Sequence, residues 1–295
     1  MNYPKLGFGC APVLGRVSRQ TSLKALSCAY SQGIRHFDVA RSYGWGDAEN
    51  LLGQFLQKFP RCEYTLVSKC GILPSKPSAI KSFTKKTGQI FYHSIPQLRA
   101  LVRQIGASSF QPSQTYNLSA LKFSLDQSLN ALKTDYLDVL LLHNYQPEYP
   151  GIDDVINWFK ETKQSGKIKR YGVCIEGDLL KGLEGLDSSW LISTDFVIQA
   201  PLTKEAFLLP SKFRDLIFFY HSPFQFLKSH SFDGRHDASL SFLLAAASKI
   251  AHCEAVICSM FNEEHIRQNC SWSKQSTSIS PEQIDDFLQP YIINR

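Results

Sequence analysis

Apolar positions along this chain follow two rhythms in turn. Short runs that alternate or are wholly apolar give way to stretches with apolar residues three and four apart, the periods of strand and helix. Residues 6–10 read as a strand, followed by a helix from about Thr21 with Leu23, Leu26 and Tyr30 on one face and Gly33 as its stop. A second strand covers 34–39. Asp47 is placed to cap the next helix, whose stripe is Ala48, Leu51, Leu52, Phe55, Leu56 and Phe59, ended by Pro60. Residues 64–69 read as strand, and 71–116 as a long irregular connection broken by a short helix around 96–104. Asn117 then caps a helix with Leu118, Leu121, Leu125, Leu129 and Leu132 facing inward.

The alternation repeats to the end. Strands are predicted at 136–142, 169–175, 195–199, 216–221 and 255–258. Helices are predicted at 152–164, stopped by Gly166, weakly at 178–186, poorly at 206–214, from Asp237 through 250, and at 263–269 and 281–288. Eight strand–helix units in one chain predict an α/β fold, a (β/α)8 TIM barrel. Residues 1–295 then form a single unit with a loop insertion at about 71–116. A doubly wound sheet is the runner-up, but its glycine-rich fingerprint after the first strand is missing.

Composition narrows the picture. A formal charge of +6 over 295 residues, with scattered lysines and arginines, suits anionic small molecules better than nucleic acid. The 71–116 connection carries six basic side chains (Lys76, Lys81, Lys85, Lys86, Arg99, Arg103) and no acidic one, the profile of a functional loop or a solvated insertion. Residues 1–9 lack a signal-peptide apolar region, and no apolar run reaches membrane-spanning length; a cytoplasmic protein with no membrane partner is expected. Eight cysteines without regular spacing predict buried reduced thiols rather than disulfides. Zinc-ligand spacing and a nucleophile elbow are missing, and no metal is expected.

In a barrel the chemistry projects from the carboxyl ends of the strands. Those ends offer Asp38 and Tyr43, then Lys69, then His143, with Gln199 after the sixth strand. Each alone is more often a packing, core or surface residue. Four ionisable groups at neighbouring strand ends point to a site. A buried carboxylate needs a partner, and a lysine beside a tyrosine favours the phenolate, which suits proton donation.

Asp38-Val39-Ala40-Arg41-Ser42-Tyr43-Gly44-Trp45-Gly46-Asp47-Ala48-Glu49-Asn50-Leu51-Leu52-Gly53 follows the pattern D-x-A-x-x-Y-G-x-G-x-x-E-x-x-L-G of the aldo-keto reductases, which the chain resembles over nearly its whole length. Val67-Ser68-Lys69, Leu140-Leu141-Leu142-His143 and Gly166-Lys167-Ile168-Lys169-Arg170-Tyr171-Gly172-Val173 resemble further family segments. The resemblance implies an NAD(P)H-dependent oxidoreductase interconverting a carbonyl (aldehyde, ketone or sugar-like) and an alcohol. Tyr43 would donate the proton with Asp38, Lys69 and His143 in support, and Trp45 would wall the substrate pocket. It also implies a cofactor site. Cys174 and Ile175 stand where the family has Ser-Asn, and Gln199 aligns with a carboxamide partner. Ser222, Pro223 and Phe224 align with a pyrophosphate loop, and Ser259, His265 and Asn269 with the adenosine segment. Ser259 and His265 replace the Lys and Arg that grip a 2′-phosphate, and Arg267 is a possible compensation. NADPH is favoured and NADH remains open. Two other readings stay open: a non-catalytic nucleotide-binding regulatory protein, and a sugar dehydrogenase working oxidatively. The expected partner is a small-molecule carbonyl or sugar substrate, with the chain a monomer or weak homo-oligomer.

Overall fold

A computed structural model describes residues 5–74, 114–191, 194–213, 215–225, 236–247, 249–250 and 253–292. Eight parallel strands close into a barrel in sequence order. They are β1 (Lys5–Gly9), β2 (His36–Asp38), β3 (Thr65–Cys70), β4 (Leu137–Leu142), β5 (Ile168–Cys174), β6 (Phe196–Pro201), β7 (Ile217–His221) and β8 (Cys253–Cys258). The ring closes through β1 against β8, with Gly7 opposite Ile257 and Phe8 opposite Cys258. The expected TIM barrel is therefore the observed architecture.

Helices pack outside the ring where their apolar stripes require. They include α1 (Arg19–Ser31), α2 (Ala48–Leu56), α3 (Leu118–Leu132), α4 (Ile152–Gln164) and α5 (Leu179–Glu184). After the short α6 (Ser188–Leu191) and α7 (Lys204–Phe207) come α8 (His236–Ala247), α9 (Glu263–Gln275) and α10 (Pro281–Ile292). Side-chain caps fix several starts. Ser18 Oγ accepts from Thr21 N, Asn117 Oδ1 from Ser119 N and Ala120 N, and Asp178 from Lys181 N. Asp47 occupies the cap position of α2, but its backbone is already helical after the preceding turn and its side chain makes no cap hydrogen bond.

Among the helices, two expectations change most. The helix expected over 206–214 is the short α7 and a separate 3₁₀ turn, Ser211–Phe213. Pro210 disfavours helical backbone at Leu209, which separates them. The helix expected to end at Asn269 runs on to Gln275, because Asn262 caps it and Ile266 and Cys270 keep its inner face buried. The helix expected at 96–104 and the six basic side chains lie outside the described residues. The ends of that connection are joined, with Ile72 bridging Gln114 antiparallel and Thr115 N donating to the Gly71 carbonyl oxygen at 2.8 Å.

The strand period of two divides the core. Outward-facing strand residues such as Phe8, Phe37, Leu66 and Leu140 pack under the helices. Inward-facing Val67, Val139, Leu141, Cys174, Val197, Phe219, Ala255 and Ile257 fill the barrel. The polar groups at the strand ends thus sit on an apolar floor.

Candidate active site

Asp38 and Lys69 share the inward parity of β2 and β3, and both are buried at the carboxyl end of the barrel. A lysine that is only 2% exposed needs compensation. Lys69 Nζ donates to Asp38 Oδ1 at 2.6 Å, to the Val39 carbonyl oxygen at 3.3 Å and to Tyr43 Oη at 3.4 Å. The second carboxylate oxygen of Asp38 accepts from Gln199 Nε2 at 2.8 Å. Both oxygens of the buried acid are therefore partnered. Burial works to lower Lys69, but the charge of Asp38 and its neighbours Tyr43 and Cys174 carry it the other way, well above an ordinary lysine. The site holds a fixed cation.

Tyr43 reaches that cation because of a tight turn. It opens a 3₁₀ turn, Tyr43–Gly46, in which Gly44, Trp45 and Gly46 all have positive φ (58°, 63° and 93°). A Cβ on Gly44 would lie 2.5 Å from the Val13 carbonyl oxygen, so only glycine fits. The turn is tied from below by groups the sequence reading did not single out. Arg41 pairs with Glu49 and donates to the Gly46 carbonyl oxygen at 2.9 Å, and Ser68 Oγ donates to Glu49 at 2.6 Å. Glu49 is fully buried within the apolar stripe of α2. An acid on that stripe was the available signal, since it cannot be buried without partners.

Burial raises the Tyr43 phenol well above its ordinary value, and Lys69 only partly offsets this. The sequence reading expected the lysine to dominate. Its direction is as expected, but desolvation is the larger effect, so the phenol keeps its proton across the neutral range. His143, at the end of β4, meets the Tyr43 ring edge-on with centroids 5.9 Å apart. Burial holds its imidazole below the usual histidine range, opposed by Glu176, whose Oε1 lies 3.3 Å from His143 Nε2. Asp38, Tyr43, Lys69, His143 and Gln199 are thus brought together.

The remaining expected residues lie along the same rim. Cys174 ends β5 pointing inward, its thiol pushed up to about 12 by burial. Ile175 does not face the barrel. It fills the space against α5, where a Cβ on Gly182 would come within 2.6 Å of it. Gln199 Oε1 is buried with no hydrogen-bond partner among the described residues. Ser222 follows β7 with φ of 57°, its Oγ 3.0 Å from His221 Nδ1, and leads to buried Pro223 and half-buried Phe224. Ser259 is exposed beyond β8. On α9, His265 is exposed in the first turn and Asn269 is buried. Arg267 donates to Glu263 at 3.1 Å, so its charge is already engaged. Trp45 is 41% exposed on the turn beside Tyr43. Among the described residues no group of acidic, histidine and cysteine side chains could hold a metal ion, and no helix is long and apolar enough to cross a membrane.

Residues 5–180 match the family model of the aldo/keto reductase family. The NADH-specific methylglyoxal reductase of Escherichia coli is 26% identical over 160 residues, covering 54% of this chain and 42% of that protein. D-threo-aldose 1-dehydrogenase of a Pseudomonas species is 27% identical over 177 residues, covering 58% of this chain and 49% of the relative. The chain spans less than half the length of these curated relatives. An aldo-keto reductase of Klebsiella pneumoniae, solved in complex with NADPH, superposes with a TM-score of 0.63 at 19% identity. That superposition covers 99% of this chain and 93% of the other.

Proposed function

This chain belongs to the aldo/keto reductase family, and from that premise we propose that it is a nicotinamide-nucleotide-dependent oxidoreductase interconverting a small-molecule carbonyl and an alcohol, with Tyr43 as proton donor. The observation that carries this reading is the Lys69 ammonium, fixed at 2.6 Å by Asp38 and reaching 3.4 Å to Tyr43 Oη. The same reading takes residues 1–295 as one barrel unit with 71–116 as an insertion.

The rim fits a nicotinamide nucleotide in one specific respect. Gln199 spends its amide nitrogen on Asp38, and its buried carbonyl oxygen is left over. A buried acceptor of that kind suits a carboxamide N–H donor. Cys174 offers only a neutral thiol beside it, and Ile175 offers nothing, since its side chain packs outward. Ser222, Pro223 and Phe224 would flank the pyrophosphate, and Ser259, His265 and Asn269 the adenosine. NADPH is the cofactor of the Klebsiella relative's complex and NADH that of the Escherichia coli relative, and we take NADPH as the first choice with NADH as the competitor. When bound, the nicotinamide supplies or accepts the hydride.

The protein's own part is the proton and the field. A carbonyl oxygen within reach of Tyr43 Oη and His143 Nε2 gains negative charge as its carbon is reduced. Tyr43 gives its proton to that oxygen, and the phenolate left behind lies against the Lys69 cation. Asp38 keeps Lys69 charged, and Gln199 keeps Asp38 in place. His143 orients the oxygen through its N–H. The apolar floor beneath these groups strengthens each electrostatic interaction.

The test is titration with NADPH and NADH by nicotinamide fluorescence, then turnover on a panel of aldehydes and ketones with the native chain and Tyr43→Phe. The expected result is saturable binding in both proteins and a loss of kcat of roughly 10²–10⁴-fold in the variant, the range for removing a general acid. Full activity in Tyr43→Phe overturns the assignment. Stoichiometric binding with no turnover on any member favours a nucleotide-binding regulatory role instead.

A further inference from the structure

Glu176 is a charged group at the mouth of this site that the proton transfer does not use. It lies two residues beyond Cys174, and its side chain turns back so that Oε1 lies 3.3 Å from His143 Nε2. That nitrogen is the one assigned to the substrate's carbonyl oxygen. His143 is buried while Glu176 is 51% exposed, so the carboxylate forms the boundary between the catalytic groups and solvent.

The described residues around it do not cancel its charge. The hydrogen bond with His143 holds Glu176 below the usual carboxylate range, helped by His143, His221 and Lys69 nearby. Of these, Lys69 is matched by Asp38 at 2.6 Å. Burial keeps His143 below the usual histidine range and His221 down to about 4, so both imidazoles are neutral near pH 7. Among the described residues, one negative charge is left at the entrance.

We propose that Glu176 is a specificity-determining residue. It selects carbonyl compounds bearing a cationic or hydrogen-bond-donating substituent, such as an amine or polyol, and disfavours those bearing a carboxylate or phosphate close to the reacting carbon. An incoming carbonyl takes over His143 Nε2, and the released carboxylate needs a new hydrogen-bond donor or counter-cation, which such a substituent supplies and an anion does not. The inference rests on the proposed catalytic site. A substrate-holding role for the basic segment between residues 76 and 103 forecasts the opposite preference, so one experiment decides between them.

Two para-substituted benzaldehydes of similar size serve as probes, one with a trimethylammonium group and one with a carboxylate. The cation-to-anion ratio of kcat/KM is measured for the native chain, Glu176→Gln and Glu176→Asp. Comparing the ratio between proteins cancels the intrinsic reactivity of the aldehydes. In parallel, the two corresponding benzyl alcohols are titrated calorimetrically into the NADPH-loaded protein, which reads discrimination without turnover. The expected result is a ratio that falls about tenfold in Glu176→Gln and is retained in Glu176→Asp, the order expected for one half-exposed charge acting across a few ångströms. Discrimination between the alcohols without turnover of either aldehyde sinks the catalytic reading but supports the selectivity. A ratio that Glu176→Gln leaves within twofold, a native preference for the carboxylate, or no binding of either alcohol at millimolar concentration overturns the proposal.

Discussion

At the scale of single residues, the site is a set of ionisable groups whose burial is tolerated only because each has an assigned partner. Lys69 has three acceptors and Asp38 has two donors. His36 is the instructive exception. It points into the barrel two positions before Asp38, is 3% exposed, and its Nε2 has no partner among the described residues. Burial pushes its pKa down to about 4 from 6.5, helped by Lys5, Arg170 and Lys69 and opposed by Asp38. The folded chain therefore binds fewer protons than the unfolded chain between those values, and stability must fall as pH drops from about 6.5 toward 4. One group with that shift contributes roughly 3 kcal/mol over the window. His221, also brought to about 4 by burial, adds a slope of the same sign. Urea unfolding at pH 7 and pH 4.5 checks this: His36→Gln should reduce the acid-induced loss by about 2–3 kcal/mol, whereas an unchanged difference between the two pH values means that His36 is protonated in the fold.

At the scale of elements, the turn between β2 and α2 is where local sequence and tertiary packing meet. Its three consecutive positive φ values place Tyr43 against Lys69, and Gly44 carries the steric burden. Gly33 provides the control. It also has positive φ (93°), but a Cβ there meets nothing within 4 Å, whereas at Gly44 it meets the Val13 carbonyl oxygen at 2.5 Å. Gly33→Ala should cost about 1 kcal/mol for backbone strain alone. Gly44→Ala should cost at least about 1 kcal/mol more and should lower turnover, because Tyr43 is its neighbour. Thermal unfolding of the two variants separates the contributions, and equal melting temperatures would show that the turn relaxes. This element was the most legible part of the sequence, since glycine spacing, a buried acid and a helix start all lie within sixteen consecutive residues, 38–53. What was not legible connects distant segments. Gln199 holding Asp38 spans 161 positions, and the Glu176 carboxylate turning back to β4 depends on how β5 ends rather than on any local pattern. Ile175 belongs with these, because only the packing of α5 on β5 makes clear that its side chain leaves the site.

At the scale of the whole molecule, barrel closure gathers the ends of eight strands into one rim, and strand parity fills the space below with apolar side chains. The fold was readable because each strand–helix unit carries its own period, and a closed ring requires only their number and order. Cysteine placement follows from the same layering. All eight thiols are free; seven are buried in the barrel or under the helices, and Cys62 alone is exposed, in the 3₁₀ turn before β3. Burial also raises the buried thiols, Cys174, Cys253 and Cys258 to about 12 and Cys270 to about 11, which suppresses the reactive thiolate as well as access to it. Reaction with Ellman's reagent near pH 8 should therefore release about one equivalent of chromophore rapidly from the native chain, and about eight after denaturation. Cys62→Ser should abolish the rapid phase. Two or more fast equivalents would mean that the barrel opens on the timescale of labelling, and the buried Lys69–Asp38 pair would then be reached by water often enough to weaken the field proposed to act on Tyr43.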